Sequence, residues 1–192
     1  MGMVWQKTVV LERGHKYLIS ADSGKGKSTF LNIIYGIRKD YSGKVFFDTT
    51  EIQTLNANVF SVYRNQNLSY LFQDLRLFGN ITARENINLK PGNKFTNGEI
   101  DFYAEKLGIE SLLNRPCQKL SLGQQQRIAM LRALSQPFQW LLLDEPFSHL
   151  DNKNAKLMME LILQRTGEEK AGIIATSLGE TKGFDEFKVL DL

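Results

Sequence analysis

The segment Ala21-Asp22-Ser23-Gly24-Lys25-Gly26-Lys27-Ser28-Thr29 gathers glycines, lysines and hydroxyls into one short stretch. Such a loop can turn its backbone amides toward an anion, with glycine letting the chain approach closely. In that reading Lys27 reaches the terminal phosphates of a nucleotide as a point charge, and the Ser28 hydroxyl is an oxygen ligand for Mg²⁺. Ala21 stands where a strict phosphate-loop pattern has its first glycine. Taken alone, Gly-Lys-Ser-Thr reads more readily as a plain helix start carrying exposed lysines. A second group, Leu141-Leu142-Leu143-Asp144-Glu145, is an apolar run ending in two adjacent acids. Phosphoryl transfer to water needs a held metal and a base that orients or deprotonates the water; Asp144 suits the first role and Glu145 the second. By themselves the two acids could instead cap the following turn.

The elements around these groups follow from hydrophobic periodicity. Gly14 to Ser20 reads as a turn and a short buried strand, and Lys27 through Ile37 as a helix with an inward stripe of Phe30, Leu31, Ile33, Ile34 and Ile37. Strand, glycine loop and helix is the context in which a phosphate cradle makes sense, and a strand carrying the two acids is expected beside it. Lys44 to Phe47, Leu68 to Phe72, Trp140 to Leu143, Ala171 to Thr176 and Phe187 to Leu192 are further strands. Helices are expected at Ile81 to Leu89, Glu99 to Leu107, Ser121 to Leu134 and Asn154 to Gln164, while the stretch between Phe47 and Leu68 is polar and gives no clear signal. The expected fold is α/β, strands flanked by helices with an inserted helical lobe. The whole chain, 1–192, is expected to be one nucleotide-binding domain, with 1–73 and 116–192 as core and about 74–115 as helical subdomain.

Composition narrows the class. The chain has 192 residues, 42% hydrophobic and 23% charged, which is a globular balance. A net charge of +3 without a concentrated basic stripe disfavours nucleic acid as a partner. Cys117 is the sole cysteine, so no intramolecular disulfide can form and a reducing compartment is expected. No run is long and apolar enough for a membrane helix, and the first residues are too polar for a signal peptide. A membrane role would therefore come through a partner.

The loop at Ala21–Thr29 taken with Leu71-Phe72-Gln73-Asp74, Leu120-Ser121-Leu122-Gly123-Gln124-Gln125-Gln126-Arg127, Leu143-Asp144-Glu145-Pro146 and Ser148-His149-Leu150-Asp151 resembles the ATP-binding cassette (ABC) ATPases, from about Leu11 to Leu192. The resemblance implies a P-loop NTPase core of mostly parallel sheet flanked by helices, with an antiparallel β portion and the inserted helical lobe. It implies ATP and Mg²⁺ as cofactors, with Ala21 to Thr29 around the phosphates and Ser28, Gln73 and Asp144 at the metal. It makes Glu145, Lys27 and Gln73 the catalytic residues, with Gln73 in the loop where the helical lobe meets the transporter. Ser121, Leu122, Gly123 and Gln124 match the signature that binds ATP held by the opposite subunit; Ser121 is also an ordinary helix N-cap, and both can hold at once. Asp151 matches an aspartate that communicates between the two sites, with a solvated helix cap as the plain alternative. The implied assembly is a head-to-tail dimer, of two copies or with a second cassette. Its implied place is cytoplasmic, peripheral on the membrane through membrane-spanning transporter subunits.

The sequence departs from that pattern at named positions. Leu122 replaces the first signature glycine and Ser177 stands where a histidine usually follows the strand after the acids. Serine can hydrogen-bond there but cannot carry charge. His149 reads as a loop variant and His15 as a surface turn residue. Trp5 lies too close to the loop to be the upstream aromatic that stacks on adenine, so the amino-terminal strand is expected to be missing or short. Two functions follow: an ATPase powering a separately encoded transporter, of export or lipoprotein type by the look of Leu71 to Asn88, or an ATP-gated module with little turnover.

Overall fold

The computed structural model describes residues 7–22, 24–90, 92–177 and 183–192. Five strands, β1 (Lys16–Ser20), β4 (Leu68–Leu71), β5 (Trp140–Asp144), β6 (Gly172–Ser177) and β7 (Lys188–Asp191), form one sheet in the order β4-β5-β6-β1-β7. Every pairing in it is parallel. β2 (Phe46–Phe47) and β3 (Thr50–Glu51) form a separate antiparallel pair. Parallel strands are covered on both faces, so they read as unbroken apolar runs rather than alternating ones. β5 shows why. Leu141 and Leu143 join the cluster beneath α5 (Leu122–Leu134) and α6 (Asn152–Glu169), whereas Leu142 joins the opposite cluster with Leu31, Ile34 and Tyr35 of the α1 (Lys27–Ile34) region. All three leucines are fully buried, each worth about 1.5–3 kcal/mol of transfer free energy.

α3 (Ala83–Asn88) and α4 (Asn97–Lys106) lie in the stretch between β4 and α5, and both begin with capping boxes, Thr82 with Glu85 and Thr96 with Glu99. Their buried residues Ala83, Ile87, Ile100 and Ala104 share a cluster with Ile128, Leu131 and Leu134 of α5. α5 is thus the element that joins the helical stretch to the sheet.

Several boundaries differ from the periodicity. α1 stops at Ile34 rather than Ile37, because Gly36 adopts φ 71° and the amides of Gly36 and Ile37 bond back to the carbonyls of Ile33 and Asn32. That paired pattern is the usual left-handed glycine ending of a helix, and it leaves Ile37 exposed. The polar stretch after Phe47 contains β3 and a full helix, α2 (Ala57–Asn67), capped by the Asn56 side chain on the Val59 amide at 2.9 Å. Only Phe60 of α2 is buried, so its apolar signal is faint. α6 runs on to Glu169, its last turn carrying Arg165 paired with Glu168 and Glu169. Finally, β5 is not the neighbour of β1: β6 lies between them. No helix among the described residues is long and apolar enough to cross a membrane.

Candidate nucleotide-binding site

Strands β1, β4, β5 and β6 all end at the same edge of the sheet, where parallel α/β sheets place their ligand crevices. From β1 the chain enters the glycine loop, and Gly24 and Gly26 take φ 77° and 99°, a region that side chains disfavour. Gly26 is the N-cap of α1 and supplies no side-chain cap. α2, α3, α4, α5 and α6 are each capped by a side chain, from Asn56, Thr82, Thr96, Ser121 and Asp151. α1 therefore keeps its amino-terminal amides and the positive end of its dipole available to an anion.

Lys27 is 5% exposed, and its Nζ donates to the carbonyls of Ala21 at 2.7 Å and Asp22 at 3.1 Å. The ammonium is tied across the mouth of the loop with one proton left to give. Ser23 lies outside the described residues. A cavity of ≈ 220 Å³ over the loop is lined by Gly24, Gly26, Lys27, Ser28, Thr29, Gln73 and Glu145. A second of ≈ 420 Å³ is lined in part by Ser28, Gln73, Asp144 and His149. Ser28 and Gln73 line both, so the phosphate loop, the loop after β4 and the acids after β5 meet at one place.

The acids are held differently. Asp144 is 3% exposed; its Oδ1 accepts from the Thr176 hydroxyl at 2.7 Å and its Oδ2 lies 3.4 Å from the Tyr70 hydroxyl. Burial, and then the Asp144 carboxylate, push the Tyr70 phenol far above its ordinary value, so it stays protonated and donates. Glu145 leaves the strand at φ 49°. Its amide donates to Thr176 Oγ1 at 3.1 Å, and its carboxylate accepts from Gln73 Nε2 at 3.2 Å. Burial, and then Asp144, raise the Glu145 carboxyl above the ordinary glutamate range, against smaller downward effects of Lys27 and His149. That is the direction a general base near neutrality needs.

The oxygen donors around the shared cavities, a hydroxyl of Ser28, a carboxylate of Asp144 and an amide of Gln73, are the hard ligands that suit Mg²⁺ with waters and phosphates completing its shell. No cluster of three or more His, Cys, Asp or Glu able to hold a metal occurs among the described residues.

The loop after Gln73 is shaped from below. Leu75 and Arg76 take φ 57° and 48°, and the buried Arg132 of α5 donates to their carbonyls at 2.6 and 2.7 Å. The signature stretch sits elsewhere: none of Ser121, Leu122, Gly123 or Gln124 is among the described residues lining the two cavities. Ser121 caps α5 in a capping box with Gln124, and the Leu122 side chain is exposed to solvent. Gly123 packs against the backbone of the loop after the acids, where an added Cβ would lie 2.8 Å from the His149 carbonyl oxygen. Gln126, 1% exposed, ties that loop down by donating to the Pro146 carbonyl at 2.7 Å and accepting the His149 amide at 3.1 Å. Asp151 caps α6 on the Asn154 amide at 2.8 Å, so the plain cap reading of that residue holds. Ser177 ends β6, paired in register with Ser20; His15 is exposed, and Trp5 lies outside the described residues.

Sequence reasoning missed Thr176, Tyr70, Gln126 and Arg132. A hydroxyl closing the apolar run Ala171 to Thr176 was the available signal for the first, since a buried polar group demands a partner.

The model of the ABC transporter family matches residues 6–148. The thiamine import ATP-binding protein of Escherichia coli K12 is 34% identical over 175 residues, 88% of this chain and 73% of that protein. The lipoprotein-releasing system ATP-binding protein of Buchnera aphidicola subsp. Schizaphis graminum is 31% identical over 159 residues, 80% and 69%. The glucose import ATP-binding protein of Saccharolobus solfataricus is 34% identical over 165 residues, but this chain spans only 46% of it. A dimeric post-hydrolysis structure of the ATP-binding cassette MJ0796, bound to ADP and Pi, superposes with a TM-score of 0.83 at 28% identity, covering 96% of this chain and 83% of that one. With that fold, that site and those relatives, the chain belongs to the ABC transporter family, as one of its ATP-binding cassette ATPases.

Proposed function

We propose that the chain binds Mg–ATP at the Ala21–Thr29 loop and hydrolyses it to power separately encoded membrane-spanning transporter subunits. The observation that carries this reading is the meeting of Lys27, Ser28, Gln73, Asp144 and Glu145 around two contiguous cavities at the uncapped start of α1. The α1 amides and Lys27 bind the phosphates. Ser28, Asp144 and Gln73 would hold Mg²⁺, which would supply neutralisation of the phosphate charge. Glu145, with its raised carboxyl pKa and its bond to Gln73, orients and deprotonates the attacking water.

The placement of Ser121, Leu122, Gly123 and Gln124 outside the described lining of the two cavities fits a head-to-tail dimer in which they close on the partner's nucleotide, with Asp151 and Ser177 flanking that closure. In the same reading residues 1–73 and 116–192 are the nucleotide-binding core and about 74–115 the helical subdomain that meets the membrane subunits on the cytoplasmic face. The relatives bear names of import and of lipoprotein release alike, so they do not favour the export or lipoprotein type over import. The exposed Leu122 and the serine at 177 support, as a second reading, an ATP-gated module with little turnover of its own.

The test is the Mg²⁺-ATPase rate against protein concentration, with Glu145→Gln as control and ATP binding measured on both. A rate that climbs faster than linearly and vanishes in Glu145→Gln is expected for hydrolysis in a self-formed dimer. Tight binding with no rate above the control selects the gated module. A Lys27→Ala protein with undiminished ATP affinity would refute the site.

A further inference from the structure

Neither motif reading includes Thr176, yet it is the residue through which the two acids are joined. It sits on β6, the strand between β1 and β5, in register with Ile19 on one side and Asp144 on the other, and is fully buried. Its single hydroxyl proton has two acceptors in reach, Asp144 Oδ1 at 2.7 Å and the Leu143 carbonyl at 3.5 Å. The shorter, charge-assisted bond to the carboxylate takes the proton. The same oxygen accepts the Glu145 amide at 3.1 Å, so one hydroxyl is spent in both directions. The β5–β6 ladder ends at the Asp144–Thr176 pair, and Glu145 turns away at φ 49°. The side chain therefore takes over from the ladder for one more residue.

We propose that Thr176 is a positioning residue for the acidic pair: its hydroxyl fixes the rotation of the Asp144 carboxylate and anchors the left-handed turn that aims Glu145. Oδ1 is occupied by the Thr176 proton. Oδ2 lies on the side of Tyr70, which with Ser28 and Gln73 lines the larger cavity, and is the oxygen presented to the metal. This inference rests on the assignment of Asp144 to Mg²⁺ made above. Partners that orient metal-holding side chains typically matter by about 10–100-fold in metal affinity or activity.

The test compares Thr176→Val, which keeps the shape and removes the hydroxyl, with Thr176→Ser, which keeps the hydroxyl. The readouts are the Mg²⁺ concentration giving half-maximal binding of trinitrophenyl-ATP, binding of the same probe without metal, and the ATPase rate. Thr176→Val is expected to raise the Mg²⁺ half-point about tenfold or more and to leave metal-free binding unchanged, because Lys27 and the α1 amides are untouched. Thr176→Ser should stay within about threefold of the parent on both counts. A folded Thr176→Val with the parent's Mg²⁺ half-point, or a Thr176→Ser as impaired as the valine variant, overturns the inference while the nucleotide site stands. A parent protein whose nucleotide binding is indifferent to Mg²⁺ overturns the role of Asp144 and this inference with it. Thr176→Ala is the second hydroxyl-free variant; if neither it nor the valine variant folds, the hydroxyl serves folding alone and the inference fails.

Discussion

Two helix glycines of this chain should respond to alanine with opposite signs. Gly167 lies in the last turn of α6 with nothing within 4 Å of an added Cβ. Alanine there should stabilise by about 0.5–1 kcal/mol, the usual gain from removing glycine's backbone freedom in a helix. Gly123 lies in the first turn of α5, where the added Cβ would stand 2.8 Å from the His149 carbonyl oxygen and 3.6 Å from Leu150 Cδ2. That oxygen is backbone and cannot swing away. The His149 amide is held by Gln126, the Leu150 amide by the Phe147 carbonyl at 3.1 Å, and Asp151 is committed to capping α6. Forcing a methyl into such a contact costs about 1–3 kcal/mol, so after the helix gain Gly123→Ala should be destabilised by about 1–2 kcal/mol. The two variants should then differ by roughly 2 kcal/mol, or about thirtyfold in the folding equilibrium. Urea unfolding followed by far-ultraviolet circular dichroism measures both with a common slope. The reasoning is refuted if Gly123→Ala matches Gly167→Ala in stability. In that event the loop from Glu145 to Asp151 yields freely and is not clamped against α5. The same clamp predicts a functional split, with Gly123→Ala losing ATPase rate and keeping ATP affinity, since Gly123 is not among the described residues lining the cavities at the Ala21–Thr29 loop.

Gln126→Leu should cost about 2–4 kcal/mol in urea unfolding, because it strips buried partners from the Pro146 carbonyl and the His149 amide; an unchanged midpoint would count against this role. Arg132→Met removes the donors that hold Leu75 and Arg76 left-handed, so amide hydrogen exchange should accelerate at residues 73–78 while β5 and β6 stay protected. Arg132→Lys should not restore protection, since one ammonium does not reproduce the planar fork. Lys90 is pushed down to about 8 by burial, with Arg132 and Arg64 adding to the effect. Its folded pKa is below the unfolded value, so the unfolded chain binds more protons between pH 8 and the ordinary 10.5, and stability should rise with pH across that window. Lys90→Met should flatten that rise and, allowing for partial exposure, gain about 1–2 kcal/mol at pH 7; parallel stability–pH curves for the two proteins would refute it.

Much of the site is legible because it is built from contiguous residues. The loop from Ala21 to Thr29, the acids at the end of Leu141–Leu143 and the Ser121 cap each carry their chemistry in a few neighbouring positions. Strands β4, β5 and β6 read clearly for a related reason: buried on both faces, they are nearly unbroken apolar runs, unlike the mostly exposed edge strand β7. Where a helix buries little, as α2 buries only Phe60, or where a glycine ends a helix early, as Gly36 does, periodicity loses its grip. Gly36 itself was the usable signal for the second case.

The amino-acid sequence by itself determined the order of the main strands and helices apart from β3 and α2, together with the phosphate loop, the acidic pair and the family they resemble. Only the tertiary structure decided that β6 stands between β1 and β5, and with it that Thr176 reaches both acids. The same holds for Arg132 beneath Leu75 and Arg76, and for Gly123 against His149. These contacts join residues about 26 to 57 positions apart in the chain, and no local propensity encodes them, because they arise when parallel strands must cross over helices before they can pair.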